Sequence, residues 1–111
     1  MTEKLDIIID AIEGKKGIDI LALDFNGSSS VFDFTVICTG SSNKNIQAIA
    51  DGINEKLGKN QLERLSMEGY NEAKWILVDC GDITVNIFDR VTRQEYKLEV
   101  LWTDAREILR K

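Results

Sequence analysis

Asp79 and Asp82, which flank Cys80-Gly81, are an acidic pair whose residue types and spacing could support catalysis or metal binding. Two carboxylates three positions apart could share a metal ion or divide the roles of general acid and base. Carboxylates at a hairpin tip more often form the turn itself, because they accept hydrogen bonds from nearby backbone N–H groups. The chain has no histidine, and no Asp-x-Asp or Asp-x-Glu pair follows Gly40-Ser41 on an adjacent strand. The pattern therefore favours the turn over a catalytic centre.

A loop rich in glycine and hydroxyl groups, Thr39-Gly40-Ser41-Ser42-Asn43, joins an apolar run to a helical pattern. Such a loop could present backbone N–H groups to an anion at the N-terminus of the helix. A simpler interpretation is that Ser42 or Asn43 caps the helix and Gly40 allows the tight turn. Because no lysine follows in the pattern of a phosphate-binding loop, we favour capping.

The two cysteines, Cys38 and Cys80, lie far apart, and each is inside an apolar run. Disulfide frameworks and zinc sites need clustered cysteines or histidines, and a nucleophilic cysteine needs a base, which neither has nearby in the sequence. We therefore predict two small buried hydrophobic residues, which fits a reducing compartment. The N-terminus lacks the pattern of a signal peptide and no apolar run reaches membrane-spanning length, so we expect a cytoplasmic protein without a membrane partner.

Composition predicts one globular domain spanning residues 1–111, with 43% hydrophobic and 30% charged residues. The formal net charge is -5. An acidic chain without a basic run is repelled by phosphates, so we expect no direct nucleic-acid binding. If the protein works near RNA, a basic protein is the better partner.

Hydrophobic periodicity assigns the elements that would position these residues. Leu5, Ile8, Ile9 and Ile12 share one face of a helix, and a second helical stripe runs from Ile46 to Leu57 and ends at Gly58. Apolar runs predict five strands, the last two joined by a tight turn at Gly81-Asp82. These strands are Ile18–Leu23, Val31–Thr39, Arg64–Met67, Lys74–Cys80 and Ile83–Phe88.

The last part of the chain predicts a third helix from Arg93 onward. Its apolar stripe is Leu98, Leu101, Trp102, Ala105, Ile108 and Leu109, with Arg106, Arg110 and Lys111 at its negative end. The order α-β-β-α-β-β-β-α predicts an α/β (α+β) fold in which helices flank both faces of a central mixed β-sheet.

Aromatic side chains are the best candidates for contacts with a partner. Trp75 begins a strand and suits the core and a binding patch equally well, because aromatics are enriched in both. Trp102 lies on the apolar stripe of the last helix, which favours the core. Tyr96 and Glu99 face away from that stripe, so they are better placed to contact something outside.

Several short motifs occur together in a fixed order and closely resemble the ribosomal silencing factor family, RsfS, also called Iojap. They cover roughly residues 17–102. The motifs are Asp33–Ser42, Ile49-Ala50-Asp51, Glu68-Gly69, Trp75-Ile-Leu-Val-Asp79, Gly81-Asp82 and Arg93…Tyr96…Leu98-Glu99…Leu101-Trp102.

The resemblance implies a fold related to nucleotidyltransferases without their catalytic carboxylates, and a protein that is not an enzyme and needs no cofactor. It implies binding to ribosomal protein fourteen of the large subunit, which blocks joining of the ribosomal subunits and represses translation when nutrients are short. Carried over by position, the binding surface comprises Glu68, Trp75, Asp79, Asp82, Tyr96, Glu99 and Trp102. Asn86 stands where the family commonly carries histidine, and asparagine cannot become charged. The tail Thr103–Lys111 extends the predicted helix beyond the motifs.

Two other functions remain open from the sequence. One is a nucleotidyltransferase that uses Gly40-Ser41 with Asp79 and Asp82, although fold kinship alone does not confer activity. The other is a homodimeric protein whose aromatic face serves a second copy of itself.

Overall fold

Six strands form one mixed sheet that organises the part of the chain described by the computed structural model, residues 3–27, 33–62 and 66–111. In chain order the elements are α1 (Glu3–Gly14), β1 (Ile18–Asp24), β2 (Phe34–Thr39), α2 (Asn43–Lys59), β3 (Ser66–Glu68), β4 (Trp75–Asp79), β5 (Ile83–Phe88), α3 (Arg90–Tyr96), α4 (Leu98–Leu101) and β6 (Arg106–Arg110). The strand order is β3-β4-β5-β2-β1-β6. Only β2 and β5 pair in parallel among these neighbours. The predicted α/β class with a central mixed sheet is confirmed.

Helices α1 and α2 cover one face of the sheet, which we call the first face. The apolar stripes predicted from spacing are the residues they bury: Leu5, Ile8, Ile9 and Ile12 on α1, and Ile46, Ile49, Ala50, Ile53 and Leu57 on α2. Alternate strand residues meet them, among them Val36, Cys38, Ile76, Val78, Val85 and Ile87. Burial of this apolar surface is the main source of stability in a domain of this size.

The opposite face, the second face, carries a smaller apolar cluster. Leu21, Leu23, Ile37 and Phe88 are buried there. Phe25, Leu98, Trp102 and Ala105 pack against them from the segment after β1 and from α4 and its C-terminal turn. Helices therefore lie on both faces, as predicted, but the cover on the second face is short and incomplete.

The hairpin of β4 and β5 forms as predicted. Trp75 pairs with Phe88 and Asp79 with Thr84, and the Cys80 N–H donates to the Ile83 carbonyl at 2.9 Å to close the turn. Gly81 has φ +87, a conformation that glycine adopts without steric cost.

The prediction of a continuous last helix is wrong. Lys97 adopts the left-handed conformation, with φ 49, and separates α3 from α4, which ends with Trp102 as its C-cap. The tail beyond Trp102 does not extend a helix, because residues Arg106–Arg110 form the edge strand β6. The three basic residues are consequently not at the end of a helix. Arg106 and Arg110 are the first and last residues of the edge strand, and Lys111 follows it.

Pairing with β1 explains why the tail is a strand. Lys111 and Ile20 exchange two backbone hydrogen bonds, of 3.3 and 2.8 Å. β6 thus pairs with the backbone N–H and C=O groups on the side of β1 that does not face β2. The register shifts between Ala22 and Leu23, so both Ile108 and Leu109 pack against the first-face cluster. Apolar residues that are adjacent in sequence fit a helical stripe as well as a bulged strand, and the tertiary pairing decides between them.

The bounds of other elements also differ from the prediction by about one residue. β1 ends at Asp24, β3 ends at Glu68, and β4 spans Trp75–Asp79. Helix α2 continues past Gly58 to Lys59, and Asn60 is its C-cap, with its N–H directed at the Lys56, Leu57 and Gly58 carbonyls. In the described part of the chain β2 begins at Phe34 and β3 at Ser66, and the predicted starts at Val31 and Arg64 lie outside the described residues.

Both cysteines are buried and neither forms a disulfide, which confirms their prediction as small hydrophobic residues. Burial raises the pKa of the Cys38 thiol to about 12, partly opposed by the charge of Arg93. Among the helices of the described residues, none is long and apolar enough to cross a membrane.

Candidate functional site

Three aromatic rings lie together on the second face, and we call Trp75, Phe88 and Tyr96 the aromatic patch. Trp75 and Phe88 are cross-strand partners whose ring centroids are 4.9 Å apart, and the Tyr96 ring lies 4.6 Å from Trp75. Phe88 is fully buried, Trp75 is half-buried and Tyr96 is 54% exposed. The patch is therefore a buried ring that supports two partly accessible ones, and such contacts hold aromatic side chains rigidly.

A buried polar chain fixes the orientation of the Trp75 indole. Its Nε1–H donates to Asn86 Oδ1 at 3.0 Å, and Asn86 Nδ2 donates to Thr35 Oγ1 at 3.2 Å. Thr35 Oγ1 in turn lies 2.8 Å from Thr84 Oγ1 and 3.3 Å from the Thr84 carbonyl. Because Asn86 is only 2% exposed, each of these partners matters to its burial. The amide thus links the indole to the centre of the sheet.

The sheet register extends the patch into an open polar surface. Glu68, Leu77 and Asn86 are successive cross-strand partners, and so are Ser66, Asp79 and Thr84. Cross-strand partners project to the same face, and residues two apart on a strand share that face, so both rows lie beside Trp75. Leu77, Asp79 and Thr84 are partly exposed, whereas Ile76 and Val78 on the first face are fully buried.

A small cleft of about 280 Å³ separates the loop after β3 from α3, with Trp75 and Tyr96 in its wall. Two carboxylates, Glu72 and Glu95, and one cation, Lys74, line the same cleft. Gly69 also lines it and has φ +83, and a Cβ atom there would lie 2.2 Å from the Trp75 carbonyl oxygen. Only glycine lets this loop approach the start of β4 so closely.

The structure brings four of the predicted site residues to one surface: Glu68, Trp75, Asp79 and Tyr96. Asp79 also shapes the hairpin, since its Oδ1 accepts from the Gly81 N–H at 3.0 Å, which confirms the turn interpretation. Glu68 is the last residue of β3 and is exposed.

The other three predicted residues lie elsewhere. Asp82, at the hairpin tip, pairs with Lys4 Nζ of α1 at 3.2 Å. Glu99 pairs with Arg93 at 3.2 Å in a different cleft. Asp82 lies beside the start of β2, whereas Arg93, the partner of Glu99, contacts Thr39 at the end of β2. Tyr96 and Glu99 do not share one helix face, because Lys97 breaks the helix between them. Trp102 packs edge-on against Phe25, with centroids 5.6 Å apart, at the end of the smaller apolar cluster.

Sequence reasoning missed Leu77, Glu72 and Glu95 as members of this surface. Strand alternation places Leu77 on the same side as Trp75, so this residue could have been found from spacing. Glu72 and Glu95 come together only because the loop after β3 and α3 meet across Trp75, which no local pattern reports.

The glycine and serine loop before α2 acts as a cap, as predicted. Ser42 Oγ accepts from the Asn45 N–H at 3.0 Å, and Asn45 Oδ1 accepts from the Ser41 N–H at 2.9 Å. A Cβ atom on Gly40 would lie 2.5 Å from Ile46 Cγ1, so the turn packs directly against the helix it starts. Within the described ranges, no three Cys, Asp or Glu residues are grouped so that they could hold a metal ion.

Comparison with known proteins gives a consistent result over the whole chain. The family model described as "Ribosomal silencing factor during starvation" matches residues 1–111. The ribosomal silencing factor RsfS of Bacillus subtilis is 46% identical over 101 residues, which cover 91% of this chain and 86% of that protein. The RsfS of Halalkalibacterium halodurans is 39% identical over 103 residues, which cover 93% and 88% of the two chains.

A solved structure supports the fold independently. The crystal structure of a protein from Chromobacterium violaceum superposes with a TM-score of 0.88 at 34% identity, covering 91% of this chain and 84% of that one. The similarity therefore extends over most of the fold.

Proposed function

Because this chain belongs to the ribosomal silencing factor family, we propose that it binds ribosomal protein fourteen of the large subunit and sterically blocks joining of the ribosomal subunits. The aromatic patch and the carboxylates around it form the contact surface in this proposal. The protein acts in the cytoplasm and represses translation under nutrient limitation, in keeping with the starvation named in the family description.

The aromatic patch is the observation that carries this proposal. Interface hot spots are enriched in Trp and Tyr that are held rigidly and become desolvated on binding. Tyr96 is 54% exposed, although it packs against Trp75, and Trp75 is itself oriented by Asn86. A partner that covers Tyr96 and the open edge of Trp75 gains apolar contact without ordering these side chains, because they are already ordered.

The carboxylates around the aromatic patch favour a basic partner. Glu68 and Asp79 lie on the sheet beside Trp75, and Glu72 and Glu95 line the cleft between Trp75 and Tyr96. Lys74 is the one cation in the lining of that cleft. Together with the net charge of -5, this arrangement complements arginines and lysines on a ribosomal protein and would speed the encounter.

In this proposal the protein binds without catalysis, and the residues that a nucleotidyltransferase would use have structural roles instead. Ser41 and Ser42 serve the turn and cap of α2, Asp79 serves the hairpin turn, and Asp82 pairs with Lys4. Metal-dependent incorporation of labelled nucleotide that disappears in Ser41→Ala would contradict this part of the proposal.

The test is binding of the purified protein to isolated large subunits, followed by addition of small subunits. We expect the wild type to sediment with large subunits and to reduce formation of joined ribosomes. Trp75→Ala and Tyr96→Ala should each weaken binding at least about tenfold, since truncated hot spots cost about 2 kcal/mol or more.

Val91→Ala is the matched control, because Val91 is also an exposed apolar residue of α3 and lies outside the aromatic patch. It should bind as the wild type does. Equal binding by Tyr96→Ala and Val91→Ala would place the contact elsewhere, and binding without an effect on subunit joining would refute steric exclusion.

A further inference from the structure

The sheet forms a second concave site, at the carboxyl ends of its two parallel strands. β2 continues into α2, which packs on the first face, and β5 continues into α3, which contacts the aromatic patch on the second face. In open α/β sheets, ligands bind where the chain leaves two neighbouring parallel strands toward opposite faces. A cleft of about 460 Å³ lies at this position, with Thr39 from the end of β2 in its wall. That volume is in the range of small-molecule sites.

The lining of this cleft, which we call the basic cleft, is positive although the protein is acidic. Five cations line it, against the two carboxylates Asp19 and Glu99. The cations are Arg90, Arg93, Lys97, Arg110 and Lys111. Five positive and two negative side chains give a local charge of +3, compared with -5 for the whole chain. A concave wall with an excess of positive charge attracts a small anion more strongly than a flat surface does.

Arg93 is the fixed element of the basic cleft. Its Nη1 donates to the Asp19 carbonyl at 2.6 Å and to Thr39 Oγ1 at 2.8 Å, and its Nε donates to Glu99 at 3.2 Å. The side chain is only 14% exposed. A guanidinium carries five N–H donors, so these three bonds hold it in place and leave the two donors of Nη2 for a ligand.

Two further cations are available for a ligand. Arg90 and Lys97 are exposed, and within the described part of the chain neither forms an ion pair. Arg110 and Lys111, by contrast, pair with Glu107 and Glu13.

We propose that the basic cleft binds a small anion that carries phosphate groups. Each of the two remaining N–H donors of Arg93 Nη2 can donate to a phosphate oxygen, and Arg90 and Lys97 add charge from the rim. A small ligand is favoured over an RNA backbone because the positive surface is confined to a concave site, while the chain as a whole repels an extended polyanion.

The test is calorimetric titration of the full chain with inorganic pyrophosphate. We expect saturable binding that weakens as KCl is raised, because salt screens the attraction. The double variant Arg90→Gln with Lys97→Gln should bind at least about tenfold more weakly. Both side chains are exposed and lack ion pairs, so this variant should keep its far-UV circular dichroism and melting temperature.

Lys44→Gln with Lys74→Gln is the matched control, since it removes the same charge from two exposed lysines that lie outside the basic cleft and form no ion pair within the described part of the chain. It should bind pyrophosphate within about twofold of the wild type. Absence of binding by the wild type, or equal losses in the two double variants, would overturn the proposal. So would binding of a short single-stranded RNA that pyrophosphate does not displace, because the ligand would then be a nucleic-acid backbone.

Discussion

The two faces of the sheet differ in how completely the chain's own helices cover them. On the first face, α1 and α2 bury an unbroken apolar layer in which most side chains are fully inaccessible. On the second face, a four-residue apolar cluster lies beside a buried amide, a hydroxyl pair and a half-open tryptophan. The first face therefore stabilises the fold, and the second face holds side chains in position to contact a binding partner.

Truncation of the first face should have the largest effect. Ile53 is fully buried between α2 and the sheet, so Ile53→Ala should lower the free energy of unfolding by about 2–5 kcal/mol through lost burial and a residual cavity. Urea denaturation followed by circular dichroism measures this. Lys44→Ala, at an exposed position of the same helix, is the control and should change stability far less. Comparable losses in both variants would contradict the division between the faces.

Replacement of the buried amide should have an intermediate effect on both stability and recognition. Asn86→Leu leaves the Trp75 indole N–H without its partner and removes one of the hydrogen bonds of the Thr35 hydroxyl, at a cost of about 1–3 kcal/mol. The indole should also become more mobile, which time-resolved tryptophan anisotropy would detect. Asn86→Asp retains an acceptor for the indole and should preserve more of the indole's order. Unchanged anisotropy in Asn86→Leu would show that ring stacking alone orients Trp75.

Cys38 lies on the first face, and its raised pKa should make the stability of the protein depend on pH. Its thiol is held neutral in the folded protein, with a pKa of about 12 compared with 9.0 for the free group. Between these values the unfolded chain loses the proton and the folded chain keeps it. Stability should therefore be fully present below pH 9.0 and fall by about 1.4 kcal/mol per pH unit above it from this residue.

Cys38→Ala removes that contribution. The difference in free energy of unfolding between the wild type and this variant, measured by urea denaturation from neutral pH to above 9.0, should therefore change with pH only in the alkaline range. A constant difference would mean that the folded thiol titrates normally.

The smallest effect on stability should come from the exposed part of the second face, at Tyr96. Tyr96 is more than half exposed, so Tyr96→Ala should cost less than about 1 kcal/mol of stability while it weakens binding to large subunits. Thermal melting and subunit sedimentation on the same preparation separate the two quantities. A variant that loses stability and binding together would mean that the aromatic patch belongs to the core.

Much of the fold could be predicted because its signals are local. The stripes of α1 and α2, the hairpin at Gly81-Asp82 and the cap at Ser42 each depend on residues within a few positions of one another. The candidate surface was only partly predictable. Trp75 and Tyr96 could be singled out by type. Glu99 belongs to the same motif as Tyr96, yet it pairs with Arg93 in the basic cleft, and Asp82 pairs with Lys4 at the hairpin tip. Trp102 packs against Phe25 at the second-face cluster and not within the aromatic patch.

The sequence by itself determined where apolar faces form, because the periods of helices and strands are imposed by backbone geometry. It also determined the family, because ordered motifs persist when their positions in the fold are still unknown. Only the tertiary structure decided that Ile108 and Leu109 belong to a strand, since β1 supplies the hydrogen bonds that a helix would have made internally. It also decided which charges meet around Trp75 and in the basic cleft, because distant segments come together there and no periodicity records their contact.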